Sequence, residues 1–281
     1  MSVHNDRQEF LGLNHEDVLG RYRVAVVGIG GGGTHFAQQL AHIGIGTVCV
    51  FDSDHMAKHN QNREVGSTEN DIAERTLKVD IAERLMKGIR SSTKVVKVPY
   101  RWQERAEILR GCHIVFGCLD SFSDRAELEV VCRRYMQPLI DIGMDVHSVG
   151  DEYAIGGQVI LSMPGSLCMR CVGFIRDDVL ARESSRYGAA GPRSQVIWPN
   201  GILASAAIGV FMQLVTPWHR KHTSVVYLEC DGNASTLLPS NRLRALQGRV
   251  CPHFSGQNHV GDPFWNPETL SHIKLVQNGL V

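Results

Sequence analysis

Gly28, Gly30 and Gly33 follow an apolar run in the order G-x-G-x-x-G, and Asp52 ends the next apolar run about 20 residues further on. Glycines at such a turn let the backbone approach phosphate oxygens that side chains would block, and a helix starting there aims free N–H groups at the same anion. On these residues alone a dinucleotide site is the default. The loop that follows argues for something else, because "DSDHMAKHNQNRE" adds Asp54, Asn60, Asn62 and Arg63 to the single carboxylate that a ribose needs. A further acid, Asp120, closes the apolar run "HIVFGCLD", at the strand end where an open parallel sheet binds its ligands. A carboxylate facing phosphates repels them unless a metal ion lies between, so Mg²⁺ with a nucleoside triphosphate is the natural pair.

The elements that position these residues are predicted as alternating strands and helices. Strands are expected near 23–28, 47–52, 94–98, 113–118 and 138–142, and helices near 31–44, 71–89, 103–110 and 123–136. "VAVVG", "TVCVFD" and "HIVFGC" are apolar throughout, as burial on both faces of a parallel sheet requires. The expected fold is α/β, a doubly wound, mostly parallel Rossmann-like sheet with antiparallel strands in the C-terminal half, where turn residues interrupt "SVGDEYAIGGQVILSMPG". The polar stretch 176–195 reads as a loop or mobile crossing segment, 202–215 as a buried helix, "VVYLEC" and "ASTLL" as an antiparallel pair, and the tail from Cys251 as irregular.

Lys plus Arg and Asp plus Glu number 29 each, so no net field favours nucleic acid or an anionic membrane surface. The first 20 residues lack the apolar core of a signal peptide, and the 202–215 run falls short of a membrane span. A soluble, cytoplasmic chain is the expectation. Eight cysteines in 281 residues are too sparse for a secreted disulfide scaffold, which points to reduced thiols.

Taken in order, these motifs resemble the ThiF/MoeB/HesA adenylyltransferases, relatives of the ubiquitin-activating enzymes. The resemblance rests on "GIGGGG", "DSD" with "NQNR", Lys78 in "LKVDIAERL", "CLDS", "GGQV", "CMRC" and the "DRQ" at Asp6 to Gln8. It implies a single adenylation domain over 1–281, with an N-terminal helix at 5–22, a nucleotide-binding half at 23–145 and a substrate-binding and crossover half at 146–281. It also implies that Gly28, Gly30, Gly31 and Gly33 line the phosphates and that Asp52, with Asp54 beside it, holds the ATP ribose. Asn60, Arg63 and Lys78 would take the triphosphate, Asp120 the Mg²⁺, and Arg7 would reach into a partner subunit's site in a homodimer. The implied reaction is ATP-dependent adenylation of the C-terminal carboxylate of a small ubiquitin-like protein or peptide ending in glycine. The acyl group would then pass to a sulfur carrier, a conjugating partner or an amine. Two departures stand out: Ser121 replaces the usual Asn, and the spacing from Arg63 to Lys78 is longer than the family's.

"CMRC" supplies two of the four ligands that structural zinc takes in tetrahedral array. The family often adds a second C-x-x-C, but here that place reads "CPHF", so Cys168, Cys171 and Cys251 would need His253 or His259, the alternative being a lost site with ordinary thiols. Relatives that carry the acyl group as a thioester have a cysteine in the crossing segment. None lies between Cys171 and Cys230, which leaves Ser184, Ser185 and Ser194 as hydroxyl candidates for a covalent acyl acceptor. Two other readings stay open, an NAD(P)-dependent oxidoreductase and a non-catalytic nucleotide-binding scaffold of a conjugation system.

Overall fold

The computed structural model describes residues 6–12, 14–185, 194–219 and 226–254. A short 3-10 helix at Asp6–Leu11 and α1 (His15–Arg21) precede β1 (Arg23–Val27). Then come α2 (Gly31–Ile43), β2 (Thr47–Phe51), α3 (Glu69–Ala73), α4 (Lys78–Ile89), β3 (Lys94–Val98), β4 (Ile114–Gly117), α5 (Phe122–Arg134) and β5 (Leu139–Val149). The chain continues through β6 (Glu152–Ser162), α6 (Asp177–Ser185), α7 (Ile197–Val215), β7 (Val226–Asp231), β8 (Thr236–Pro239) and α8 (Arg242–Ala245).

One eight-stranded sheet runs β3-β2-β1-β4-β5-β6-β7-β8. Pairs from β3 to β5 are parallel, and those from β5 to β8 are antiparallel, as the apolar runs and the later turn residues predict. β1, β2 and β4 are buried along nearly their whole length because both faces of the sheet are covered. One layer is built on Phe36, Phe116 and Phe211, the other on Trp102, Leu128 and Met169. Strand order reverses between β1 and β4, the switch point where such sheets leave a crevice for ligands.

Several expected boundaries shift for local reasons. The predicted N-terminal helix is a 3-10 turn followed by α1, with Gly12 at φ 127° between them. The expected 71–89 helix is two helices, since Arg75 at φ 53° takes a left-handed conformation that no helix continues through. Residues 102–111 are 3-10 rather than α, kinked at Arg105. α7 starts at Ile197 instead of 202, because Pro199 falls in its first turn, where a missing N–H costs nothing. That makes α7 long and apolar enough by composition to cross a membrane, yet Leu203, Ala204, Ala207 and Phe211 pack in the core cluster shared with α2 and the sheet. Within the stretch expected to be a loop, 177–185 is helical, while 186–193 lie outside the described residues.

Candidate active site

β1 ends at the glycine turn, and α2 begins at Gly31 with Gly30 in the capping position and no side chain bonding its first N–H groups. Gly28 sits at φ 92° with the Cys118 carbonyl so close that a Cβ would stand 2.5 Å from its oxygen. Nothing lies within 4 Å of a Cβ placed on Gly30, which is the open position of the loop. Gly31 and Gly32 also leave room for packing. Their missing side chains admit Asn200 from α7, whose amide nitrogen would be 2.6 Å from a Cβ on Gly31.

Asp52 fastens this turn to the next strand. Its Oδ2 accepts the Ile29 N–H at 2.7 Å and its Oδ1 the Asp54 N–H at 2.8 Å. Burial raises its pKa, with Lys78 and the two N–H groups pulling the other way. Beyond it lies a cleft of about 630 Å³, within the range of roughly 300–1,000 Å³ usual for small-molecule sites. Asp54, Asn60, Arg63, Lys78 and Asp120 line it, together with Arg75 and His59.

Each expected cation is already held by neighbours. The Arg63 guanidinium donates to the His59 carbonyl at 2.6 Å, to Asn62 Oδ1 at 3.1 Å and to Asn60 Oδ1 at 3.0 Å, while its buried Nε has no partner among the described residues. Lys78 stands at the start of α4 with its Nζ 3.2 Å from Glu64 Oε1 and 3.4 Å from Asp54 Oδ2. Burial alone would lower the Lys78 pKa, but Asp52, Glu64 and Asp54 outweigh it and raise the value. Glu64, a residue that sequence reasoning missed, is pushed up to about 7 by burial despite the lysine beside it.

Asp120 follows β4 and its Oδ1 accepts the Gln195 side-chain amide at 3.1 Å. The Gln195 carbonyl takes a bond from Asn62 at 2.9 Å, so the segment before α7 is tied to two sides of the cleft. Ser121 explains one departure from the family pattern, because its hydroxyl caps α5 by accepting the Asp124 N–H at 3.0 Å. Glu183 of α6 accepts the Phe122 and Ser123 N–H groups at 3.0 and 2.9 Å, docking α6 on the same helix start. Ser184 and Ser185 are exposed and donate back to the carbonyls of Ala181 and Arg182. Ser194 is exposed, and Arg7 is exposed on the first 3-10 helix and does not line the cleft.

The second predicted constellation also assembles. Cys168, Cys171, Cys251 and His253 bring their ligand atoms within 4.8 Å of one another and could hold a metal ion. Sγ to Sγ is 3.6 Å between Cys168 and Cys171, and His253 Nδ1 lies 3.4 and 3.3 Å from those sulfurs. Tetrahedral zinc with bonds of about 2.3 Å to sulfur and about 2.0 Å to nitrogen requires edges of roughly 3.8 and 3.5 Å, so the donor set fits. His259 lies outside the described residues. The buried Arg133 of α5 fixes the first pair by donating to the Ser166 and Leu167 carbonyls at 3.0 and 2.9 Å, and Glu129 accepts the Met169 N–H at 2.8 Å. Phe254, where a fourth cysteine would fall, lies under the Arg133 guanidinium, 5.2 Å from ring centroid to Cζ.

The ThiF family model matches residues 4–251. The chain belongs to the ThiF family. It is 31% identical over 152 residues to the SAMP-activating enzyme E1 of Haloferax volcanii, covering 53% of each chain. It is 26% identical over 178 residues to the sulfur carrier protein ThiS adenylyltransferase of Bacillus subtilis, covering 61% of this chain and 51% of the relative. The chain thus aligns with about half the length of these curated relatives. A solved structure of E. coli MccB with ATP shares the fold, with a TM-score of 0.65 at 17% identity over 82% of this chain and 66% of that one.

Proposed function

We propose that this ThiF-family chain is an ATP- and Mg²⁺-dependent adenylyltransferase acting on the C-terminal carboxylate of a ubiquitin-like protein, sulfur carrier or peptide ending in glycine. The observation that carries the reading is the convergence of Asn60, Arg63, Lys78 and Asp120 on one cleft beside the open glycine turn. Attack of a carboxylate on the α-phosphate builds charge on phosphoryl oxygens, and preorganised cations and N–H groups answer that need. Arg63 is held in place before any ligand arrives by His59, Asn60 and Asn62, so little reorganisation accompanies the reaction. Lys78 keeps its proton under three carboxylates. Asp120 would hold Mg²⁺, which when bound supplies positive charge between the phosphates and the acid. Gln195, whose amide donates to Asp120 Oδ1, would share or yield that oxygen to the ion.

The Cys/His cluster would hold a structural zinc ion. Arg7 would serve the second site of a homodimer, and the product acyl-adenylate would await an external sulfur carrier, conjugating partner or amine. The support for that last step is negative chemistry among the described residues: Cys49, Cys112, Cys132 and Cys230 are buried, and burial raises the half-buried Cys118 thiol well above its usual pKa. A cytoplasmic setting belongs to the same proposal.

The deciding experiment is exchange of labelled pyrophosphate into ATP with Mg²⁺ and candidate Gly-ended proteins. Asp120→Ala is expected to slow exchange about 100- to 1,000-fold, the usual loss for a metal or transition-state contact. Tight NADH binding without ATP affinity would overturn the reading.

A further inference from the structure

The cleft contains a third cation that no motif singled out. Arg75 lies in the turn between α3 and α4, is exposed, and lines the cleft with Arg63, Lys78 and Asp120. No hydrogen bond or ion pair to its guanidinium occurs among the described residues, whereas Arg63 and Lys78 are both engaged. Without Arg75, the cleft lining carries Arg63 and Lys78 against Asp54 and Asp120, and the buried Asp52 and Glu64 act on Lys78 from behind. Such a lining offers a polyphosphate no net positive charge unless a further cation supplies it.

The backbone at Arg75 is unusual too. Its φ of 53° is a left-handed conformation that is costly for a residue with a Cβ and persists only where the surroundings impose it. The imposing structure is visible. Asp71 joins Thr68 in a reciprocal cap at the start of α3 and takes two bonds from Arg84 at 2.7 and 2.6 Å. The Thr76 N–H then bonds the Asp71 carbonyl at 2.9 Å, and the Met56 N–H bonds the Thr76 carbonyl at 2.8 Å, locking the turn to the loop after β2. A glycine would suit this backbone better, yet the position carries a long cation facing an anion cleft.

We propose that Arg75 is a phosphate-binding residue of this cleft, supplying the unpaired charge that receives the polyphosphate of a nucleoside triphosphate and the pyrophosphate it releases. The proposal rests on the nucleotide reading above and extends it to a residue outside the shared motifs. A guanidinium with free N–H groups on both edges binds phosphate oxygens bidentately, which a lysine at that turn would not.

The test is titration calorimetry of the full chain with inorganic pyrophosphate, ATP with Mg²⁺, and AMP, comparing wild type with Arg75→Gly, Arg75→Ala and Arg75→Lys. Loss of a charge-assisted contact should weaken pyrophosphate and ATP binding about 10- to 100-fold in the glycine and alanine variants, with AMP affected far less and lysine intermediate. Arg75→Gly should at the same time melt higher than wild type, because glycine accepts the left-handed backbone; stability and affinity then move in opposite directions, which a merely structural role cannot produce. Unchanged pyrophosphate and ATP affinity in Arg75→Gly, or an equal loss for AMP, overturns the role of Arg75 alone. A wild-type chain that binds neither ATP nor pyrophosphate overturns the adenylation reading with it.

Discussion

The cleft at the sheet's carboxyl end and the Cys/His cluster are two polar sites in one fold, built in opposite ways. In the cleft the key side chain, Arg63, is held by residues one to four positions away, and Lys78 by acids 14 and 24 positions away, all on one face of the sheet's carboxyl end. In the cluster, Cys168 and Cys171 meet Cys251 and His253 across 80 residues or more, and a buried arginine and glutamate from α5 clamp the first pair. The cleft is open and holds Arg63 and Lys78 in place in advance, which suits a ligand that enters and leaves. The cluster roots Cys168 and Cys251 in one core layer while His253 is exposed, and its donor set suits an ion that stays. On the proposed reading, the site that turns over is organised largely by near neighbours, whereas the site that ties distant segments together contributes to stability.

Three measurements sharpen or break that contrast. The largest effect is expected at the cluster. With the proposed zinc ion bound, Cys168→Ser or removal of the ion by a chelator should lower the melting temperature by on the order of 10 °C, since metal binding free energy in such sites is folding free energy. Pyrophosphate exchange by the protein that remains folded should change little. If exchange fell as steeply as in Asp120→Ala while melting stayed constant, the division of labour would be wrong.

Next comes the floor of the cleft. Glu64 titrates at about 7 in the folded protein against an ordinary value of 4.5, so the folded state binds the extra proton between those values. Its contribution to stability is therefore greatest below about pH 4.5 and falls as pH rises towards 7. Glu64→Gln mimics the protonated acid and should match wild type near pH 4, then become more stable than wild type by about 1–3 kcal/mol near pH 8. Chemical denaturation at the two pH values reads this directly, and parallel curves for both proteins would mean that Lys78 fully compensates the buried charge.

The smallest effect is expected at α6. Ser184→Ala and Ser185→Ala should leave stability within about 0.5 kcal/mol and exchange unchanged, because both hydroxyls are exposed and bond only to their own helix. After incubation with ATP and substrate, no adduct sensitive to thiol should appear on a denaturing gel. A thiol-resistant adduct lost in either variant would turn a solvated helix end into part of the chemistry.

Reading the residues in order was enough to set out the parallel half of the sheet, the glycine turn, Asp52, Asn60, Arg63 and Asp120. Each of these depends on residues close in the chain: apolar runs buried on both faces declare strands, and the acids stand where those runs end. The donor set Cys168, Cys171 and Cys251 was legible for the same reason, from short spacings and thiol chemistry, with His253 left as one of two choices. What only the tertiary structure decided lies where distant segments meet. Glu64 under Lys78, Asn200 pressed on Gly31, and Gln195 bonded to Asp120 have no local pattern, because each contact is set by how α4, α7 and the sheet pack. Arg75 was hidden twice over: a lone arginine in a polar stretch gives no periodic signal, and its left-handed backbone is imposed by Asp71, Thr68 and Arg84 rather than by its own residue type. Local spacing specifies elements and motifs, whereas burial, compensation of charge and strain are properties of the packed whole.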